Sequence, residues 1–361
     1  MLPDWIPPEK FVMTPEVITL FENKREIFVK IVDYFSKLET KPLFITMDSL
    51  KMIEDKNLRD LINPIISAHN SKFVQKSLSN QKRKNCTIGI IQMNFENENK
   101  FPFKLKDEKE ITKKIEKILN YLKPYNIDIL CFPELSTSKK IIDEIFLKQD
   151  KRIPIIIGGS FYDGNFNSCP IIIDYLGRNE IVIQEKINLS KWEDSCFPQK
   201  AMCKGRTINI ISTDFGNLSV LLCLDGLVES NNLLQFCSDN AIDLDLIFII
   251  SKTKEVSEFH NKMHELATRN RKYCIFVNSA TGGHSGLYTP LERDFHDENL
   301  NAYQYPYCTD DKSKCIILKP TEERIMILNL EVREKAEYHP TKIVNQYSNI
   351  KLVLDKKWEA G

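Results

Sequence analysis

Leu218-Ser219-Val220-Leu221-Leu222-Cys223-Leu224-Asp225-Gly226 is an apolar run that ends in a thiol and then turns polar. The run is short, rich in leucine and preceded by Phe215-Gly216-Asn217, so it reads as a parallel strand covered on both faces. A helix is expected to open just after Cys223, with Gly226 permitting the sharp reversal. Strand, nucleophile, tight turn and helix form the same mechanical device as a serine elbow, here with sulfur as the nucleophile. A cysteine among apolar residues is more often a small core hydrophobe, so other segments must supply what a reactive thiol needs.

A free thiol, with a pKa of about 8.5, is only a few per cent ionised at neutral pH, and a nucleophilic Cys223 therefore requires a base or a cation beside it. Of the six histidines, only His284, within Thr281-Gly282-Gly283-His284-Ser285-Gly286, falls in a loop suited to an active site. A better partner lies in Ile127-Asp128-Ile129-Leu130-Cys131-Phe132-Pro133-Glu134, where a buried type of strand ends in a carboxylate. The bland alternative for Glu134 is a first-turn acid favoured by a helix dipole. In Ile183-Gln184-Glu185-Lys186-Ile187-Asn188-Leu189 a lysine interrupts an apolar pattern; its bland alternative is a solvent-facing residue of an edge strand.

The order Phe-Pro-Glu-Leu at 132–135, Glu-Lys-Ile-Asn-Leu at 185–189 and Leu-Leu-Cys-Leu-Asp at 221–225 resembles the nitrilase superfamily of carbon–nitrogen hydrolases. The resemblance runs from about Cys86 to about Val332. It includes an opening strand at Thr87–Met93, the segments Gly158-Gly159-Ser160, Phe166-Asn167-Ser168 and Tyr175-Leu176-Gly177, and an Arg269-bearing helix leading into a strand that ends at Asn278. What the resemblance implies is a four-layer α-β-β-α sandwich; the alternating pattern itself shows only an α/β class.

The same resemblance implies that Glu134 is the general base, Lys186 the cation that stabilises a tetrahedral oxyanion, and Cys223 the nucleophile. Leu224 would add its backbone N–H to the oxyanion site. A second glutamate, which in many members orients the lysine and the substrate, would be Glu193 in Ser190-Lys191-Trp192-Glu193-Asp194, although Asp194 stands one position away and spacing does not separate the two. Trp192 would line the pocket or anchor its loop. Asp225 is expected to be a helix N-terminal acid or a turn former rather than a catalytic group. The segment after Cys223 lacks the aromatic and arginine often found there, and Leu287 to Lys314 is a polar, irregular insertion, so the substrate class stays open. Expected chemistry is hydrolysis of a non-peptide C–N bond in an amide or carbamoyl substrate, without a cofactor, by a homodimer or higher homo-oligomer. The alternative is a regulatory or effector module on the same fold, docking a partner through its N-terminal extension, in the setting of bacterial defence.

Composition fits such an enzyme. The chain has 361 residues, 42% of them hydrophobic, enough for one large domain and an appendage. Its 50 basic and 50 acidic residues cancel, leaving no global electrostatic case for nucleic acid or a membrane surface. Ten cysteines without scaffold spacing, and no signal peptide or long apolar run, are expected of a reducing cytoplasm. His260 and His264 share a helical face, but the residue after the first is Asn261, not the glutamate a zincin needs, and no metal is expected.

Residues 1–84 fall outside the hydrolase pattern and are expected to form a mainly helical extension with a basic linker. Thr14-Pro15 suits an N-cap and first helical position, Val17 to Phe35 carries apolar residues at helical spacing, Pro42 to Met47 suits a short strand, and a further helix is expected from Ser49 through Asn63. Ser71 to Asn85 reads as a solvated basic connector, since the single aromatic among its basic residues, Phe73, makes no interleaved pattern for stacking on bases. The hydrolase domain is expected over 85–335 and a tail over 336–361. From Asp107 to Tyr121 an amphipathic helix is expected, followed by strands at 153–158, 169–174, 181–185, 207–211, 218–222, 244–250, 273–278, 314–318 and 324–330.

Overall fold

A computed structural model describes residues 12–13, 17, 24–38, 44–45, 49–50, 52–70, 72–78, 85–148, 153–175, 178–190, 193, 202–289, 315–331 and 350–357. The chain divides into two compact units, Met1–Lys72 and Phe73–Gly361.

In the first unit β1 (Val12–Met13) runs parallel to β2 (Phe44–Ile45), accompanied by α1 (Arg25–Lys37) and α2 (Lys56–Asn70). Phe28, Ile31, Val32 and Phe35 of α1 bury one stripe against Ile45, Ile53, Leu58 and Ile62, the helical spacing expected of a core-facing surface. The second helix starts later than its apolar pattern suggests because the Leu58 N–H donates to Asp55 Oδ1 at 2.9 Å, and Asp55 acts as the cap. The Thr14-Pro15 cap lies outside the described residues.

From Phe73 the strands are β3 (Phe73–Ser77), β4 (Asn85–Gln92), β5 (Ile129–Cys131), β6 (Ile155–Ile157), β7 (Phe161–Asp163), β8 (Phe166–Tyr175), β9 (Arg178–Glu185), β10 (Ile208–Thr213), β11 (Gly216–Leu222), β12 (Leu244–Ser251), β13 (Tyr273–Asn278), β14 (Gly286–Tyr288), β15 (Cys315–Ile317), β16 (Arg324–Glu331) and β17 (Ile350–Lys357). The helices are α3 (Glu108–Leu122), α4 (Lys139–Ile141, continued by a π-turn over Ile142–Phe146), α5 (Leu224–Val228), α6 (Ser230–Asp239) and α7 (Ser257–Asn270). Among the described residues one sheet has the order β15-β14-β13-β12-β11-β10-β3; the other has β17-β16-β4-β5-β6-β8-β7, with β9 also paired to β8.

Alternation along the strands explains the layering. Ile88 and Ile90, Val220 and Leu222, and Leu246, Phe248 and Ile250 meet in one core shared by the two sheets. The residues between them point the other way. Ile91, Leu130 and Ile156 pack with Ile111, Ile115 and Ile118 of α3, while Leu221, Ile247 and Ile249 pack with Leu233 of α6 and Phe259, Met263 and Leu266 of α7. Helix, sheet, sheet and helix therefore stack as a four-layer α-β-β-α sandwich, and the continuous apolar runs are those of strands buried on both faces.

Two expectations need correction. Phe73–Ser77, within the expected connector, pairs parallel to β10 as an edge strand, and Ile350–Lys357, within the expected tail, pairs antiparallel to β16. Both carry lysines among their apolar residues, as exposed edge strands commonly do, and that is what hid them. Residues 290–314 of the polar insertion lie outside the described residues.

Candidate active site

Glu134, Lys186 and Cys223 lie just past the ends of β5, β9 and β11. All three line one cavity of about 750 Å³, together with Glu193, Leu224 and Lys252. Crevices beyond the carboxyl ends of parallel strands are the usual place for a ligand in open α/β sheets.

Cys223 makes the reversal itself. Its φ is 49°, a left-handed value that costs a non-glycine residue about 1–3 kcal/mol. Its N–H donates to Ile250 O at 2.8 Å, holding the strained residue at the end of the ladder, and α5 starts immediately after. Gly226 is not the pivot that the sequence suggests. A Cβ there would sit 2.7 Å from Ile249 Cδ1 and Cγ2, so glycine is required for the close approach of α5 to β12.

Cys223 as a residue is 9% exposed, and its Sγ accepts a hydrogen bond from Ser251 Oγ at 3.4 Å. Burial pushes it up to about 12, and the Glu134 carboxylate adds to this, against the opposing pull of Lys186 and Ser251. The resting group is thus a thiol, and its use as a nucleophile requires a base to take the proton.

Glu134 lies not in the first turn of a helix but in a turn between β5 and α4. Leu135, at φ 58°, follows it, and the Leu135 N–H donates to Ser160 Oγ at 3.0 Å. The carboxylate is buried, and both oxygens accept hydrogen bonds, with one further acceptor position left on Oε2. Oε1 accepts from Lys186 Nζ at 2.9 Å and from Asn167 Nδ2 at 3.0 Å; Oε2 accepts from the Lys252 N–H at 3.1 Å.

Lys186 is 2% exposed, the opposite of the solvent-facing alternative. Its Nζ also donates to Glu193 Oε2 at 2.8 Å. Burial disfavours the ammonium, but Glu134, Cys223 and Glu193 outweigh burial and hold Lys186 well above the usual lysine range. Glu193 in turn accepts from Tyr162 OH at 2.7 Å and from the Ser190 N–H and Oγ, both at 2.8 Å. Burial works against its charge too, yet Lys186, Ser190 and Tyr162 keep it below the ordinary glutamate range. Of the two acids left open by spacing, Glu193 makes the lysine contact; Asp194 and Trp192 lie outside the described residues.

Asp225 has a role that turn chemistry does not suggest. Its carboxylate accepts from the Ile187 N–H at 3.0 Å, the Asn188 N–H at 2.7 Å and Asn188 Nδ2 at 2.9 Å. The turn after the thiol is thereby fastened to the loop after Lys186. Burial pushes Asp225 up to about 6 despite these donors. Tyr162, Asn167, Ser190, Ser251 and Lys252 also belong to the site; Asn167 and Ser190 stand in the 166–168 and 190–194 segments without a role marked there, and no motif marks the other three, because each is defined by what it touches across the fold.

His284 does not line this cavity, and its Nδ1 lies 3.0 Å from Gly282 O. His260 Nδ1 lies 3.0 Å from Tyr288 OH. Among the described residues no group of three or more His, Cys, Asp or Glu side chains is arranged to hold a metal ion, and no helix is long and apolar enough to cross a membrane.

The chain matches no protein-family profile and no curated protein. Among solved structures it is similar to glutamine-dependent NAD+ synthetase from Acinetobacter baumannii, at 16% identity and a TM-score of 0.47, over 70% of this chain and 48% of that one. It thus spans about half of the synthetase. It is also similar to an amidase of the nitrilase superfamily from Nesterenkonia AN1, at 14% identity and a TM-score of 0.43, over 59% of this chain and 86% of that one. A double mutant of that amidase in complex with acrylamide matches at 13% identity and a TM-score of 0.42, over 58% of this chain and 84% of that one.

Proposed function

We propose that the protein is a thiol-dependent hydrolase of non-peptide carbon–nitrogen bonds, an amidase of the nitrilase type. One observation carries the reading: an ammonium clasped between two buried carboxylates, 2.9 Å from Glu134 and 2.8 Å from Glu193, in the cavity onto which Cys223 opens. A buried ion triad is poor value for stability alone, and its placement beside a strained thiol suits catalysis.

In the proposed reaction Glu134 accepts the thiol proton as Sγ bonds to the amide carbon. The oxygen of the tetrahedral adduct takes the negative charge and is met by Lys186 Nζ and the Leu224 N–H, which as the first residue of α5 has no acceptor within its helix. Each such donor is typically worth about 10²–10³ in rate. Glu134 returns its proton to the nitrogen, the C–N bond breaks, and ammonia or an amine leaves a thioester on Cys223. Glu134 then takes a proton from water as its oxygen bonds to the thioester carbon; the C–S bond breaks, Glu134 returns that proton to Sγ, and the acid leaves. Proton transfer of this kind contributes about 10²–10⁴-fold. Glu193 keeps Lys186 charged and in place.

The test is incubation with amides, carbamoyl compounds and nitriles, following ammonia release and intact protein mass. An acyl adduct that disappears in Cys223→Ala is the expected result; absence of both turnover and adduct refutes the reading. Opening of Cys223 onto a cavity favours this enzyme over a partner-binding module, and pairing of protomers, expected from the family resemblance, is read from light scattering of the same sample.

A further inference from the structure

Lys186 is not the only lysine in the cavity. Lys252, the first residue after β12, also lines it, and its surroundings differ in kind. Where Lys186 meets two carboxylates, Lys252 makes no ion pair among the described residues. Its Nζ donates to Asn97 Oδ1 and lies 4.8 Å from the centroid of the Phe95 ring. Asn97 is itself fixed, since its Nδ2 donates to Leu135 O at 3.1 Å, which turns Oδ1 toward the lysine. Lys252 is also held by its backbone, through the N–H bond to Glu134, and Thr253 after it is braced by Asn278, whose Oδ1 accepts from the Thr253 N–H at 3.0 Å and whose Nδ2 donates to Thr253 O at 2.8 Å.

An ammonium has three donors. One is used by Asn97, and the aromatic face offers a cation only a diffuse attraction. Partial burial without a counter-ion is unfavourable for the charge, in line with the drop of this amine to about 8 through burial, which Glu134 and Glu96 oppose. Glu96 is exposed and occupied by Lys106 at 2.8 Å. The other charges of the lining, Lys254, Glu255 and Glu258, are exposed, where solvent and salt screen them.

We infer that Lys252, oriented by Asn97, is a specificity-determining residue that binds a carboxylate on the substrate, so that the preferred substrates are amides carrying a second, anionic end. A single cation with two free donors suits a carboxylate monoanion better than a phosphate, which calls for several donors. The inference rests on the amidase reading for the word substrate but not for the anion site.

Two measurements separate the two claims. The first is calorimetric titration of the wild-type protein and of Lys252→Met with succinate, glutarate and adipate. At least one should bind the wild type and bind the variant about 10- to 100-fold more weakly, the range for losing one hydrogen bond to a charged group. No binding by any of the three, or equal binding to both proteins, overturns the anion site. The second is the ratio of kcat/KM for succinamate, glutaramate or adipamate to that for the neutral methyl ester of the same chain. In the wild type the ratio should exceed ten for the best length; in Lys252→Met it should fall at least tenfold, mainly through KM, with partial recovery in Lys252→Arg. A ratio unchanged by Lys252→Met, with kcat reduced for both kinds of substrate, overturns specificity and assigns the lysine to Glu134 instead. Dicarboxylate binding that depends on Lys252 in a protein that forms no acyl adduct refutes the hydrolase and sustains the anion site.

Discussion

Replacing Lys186 by methionine removes the one cation joining two carboxylates that are each about 3% exposed, Glu134 and Glu193. Breaking a buried ion pair by deleting one partner typically costs about 3–5 kcal/mol, because the remaining charge is left uncompensated. Here the cost has a ceiling. One of the glutamates escapes by taking a proton, which at pH 7 costs about 1.4 kcal/mol for each pH unit above an unfolded value of about 4.3, so about 4 kcal/mol. The sign follows from linkage. In the variant the escaping glutamate has a folded pKa above its unfolded value, so stability is fully present below that unfolded value and is lost as pH rises. In the wild type Glu193 is depressed and Lys186 is raised. Their contributions are lost only as pH falls through the depressed glutamate value or rises through the elevated lysine value, and between pH 5 and 7 they stay constant.

Urea denaturation at pH 5, 6 and 7 therefore should show the gap between wild type and Lys186→Met closing by about 1.4 kcal/mol per pH unit on acidification. Glu193→Gln in the same background removes one of the two charges and should restore most of the lost stability at pH 7. Activity should stay about 10²–10³ below wild type in both variants, because the oxyanion donor proposed above is gone. A cost below about 1 kcal/mol at pH 7, or one independent of pH, refutes the reasoning: the triad would then be hydrated and its members not in mutual need.

Burial pushes the Cys223 thiol up to about 12, so the absorbance difference between wild type and Cys223→Ala should show no thiolate at pH 9, and alkylation of Cys223 by iodoacetamide should still be accelerating there; a Cys223 thiolate at pH 7 contradicts the base role proposed for Glu134. Tyr162→Phe deletes a 2.7 Å bond to Glu193 and should lower kcat/KM about 10- to 100-fold, from the about 1.5–3 kcal/mol of a charge-assisted bond; an unchanged rate shows that Ser190 and Lys186 position the acid without it. Asp225→Asn leaves at least one of the Ile187 and Asn188 donors unmatched and should cost about 1–3 kcal/mol in denaturation, with loss of activity through displaced Lys186; full stability and activity contradict the tie between the two loops. Gly226→Ala drives a methyl into Ile249 and should cost about 1–3 kcal/mol, recovered in part by Ile249→Val; no recovery shows that the strain lies elsewhere.

The layers of the sandwich are legible in the sequence because its strands carry uninterrupted apolar runs such as Ile129-Leu130-Cys131, Ile155-Ile156-Ile157, Ile171-Ile172-Ile173 and Leu246-Ile247-Phe248-Ile249-Ile250, a pattern that double-sided burial sustains. Edge strands β3 and β17 are not, since Gln75-Lys76 and Lys351, Asp355 and Lys356 give them the composition of solvated linkers. For the site, what the chain order carries is the identity of three side chains at three strand ends. The geometry adds what no spacing contains: Glu193 rather than a neighbour on the ammonium, Asp225 reaching back to the loop of Lys186, and a glycine kept for packing while cysteine bears the strained φ.

That last exchange of roles bears on chemistry. If Gly226 supplied the turn, Cys223 would be free to relax between conformers and the thiol would sample several positions. With the positive φ on Cys223 itself, fixed by its N–H bond to Ile250 and by α5 starting at the next residue, the same backbone geometry that costs stability also sets the direction of Sγ and of the Leu224 N–H. The proposed nucleophile and oxyanion donor are thus placed by one peptide unit, whereas Glu134, Lys186 and Glu193 are placed by three loops that Asp225, Asn167 and Tyr162 tie together. Stability of the site depends on those ties, and its aim depends on the elbow, so substitutions in the first group should lower activity in step with stability, whereas Leu224→Gly, next to Cys223, should loosen the aim and lower kcat by more than its loss of stability, about 1–2 kcal/mol, accounts for.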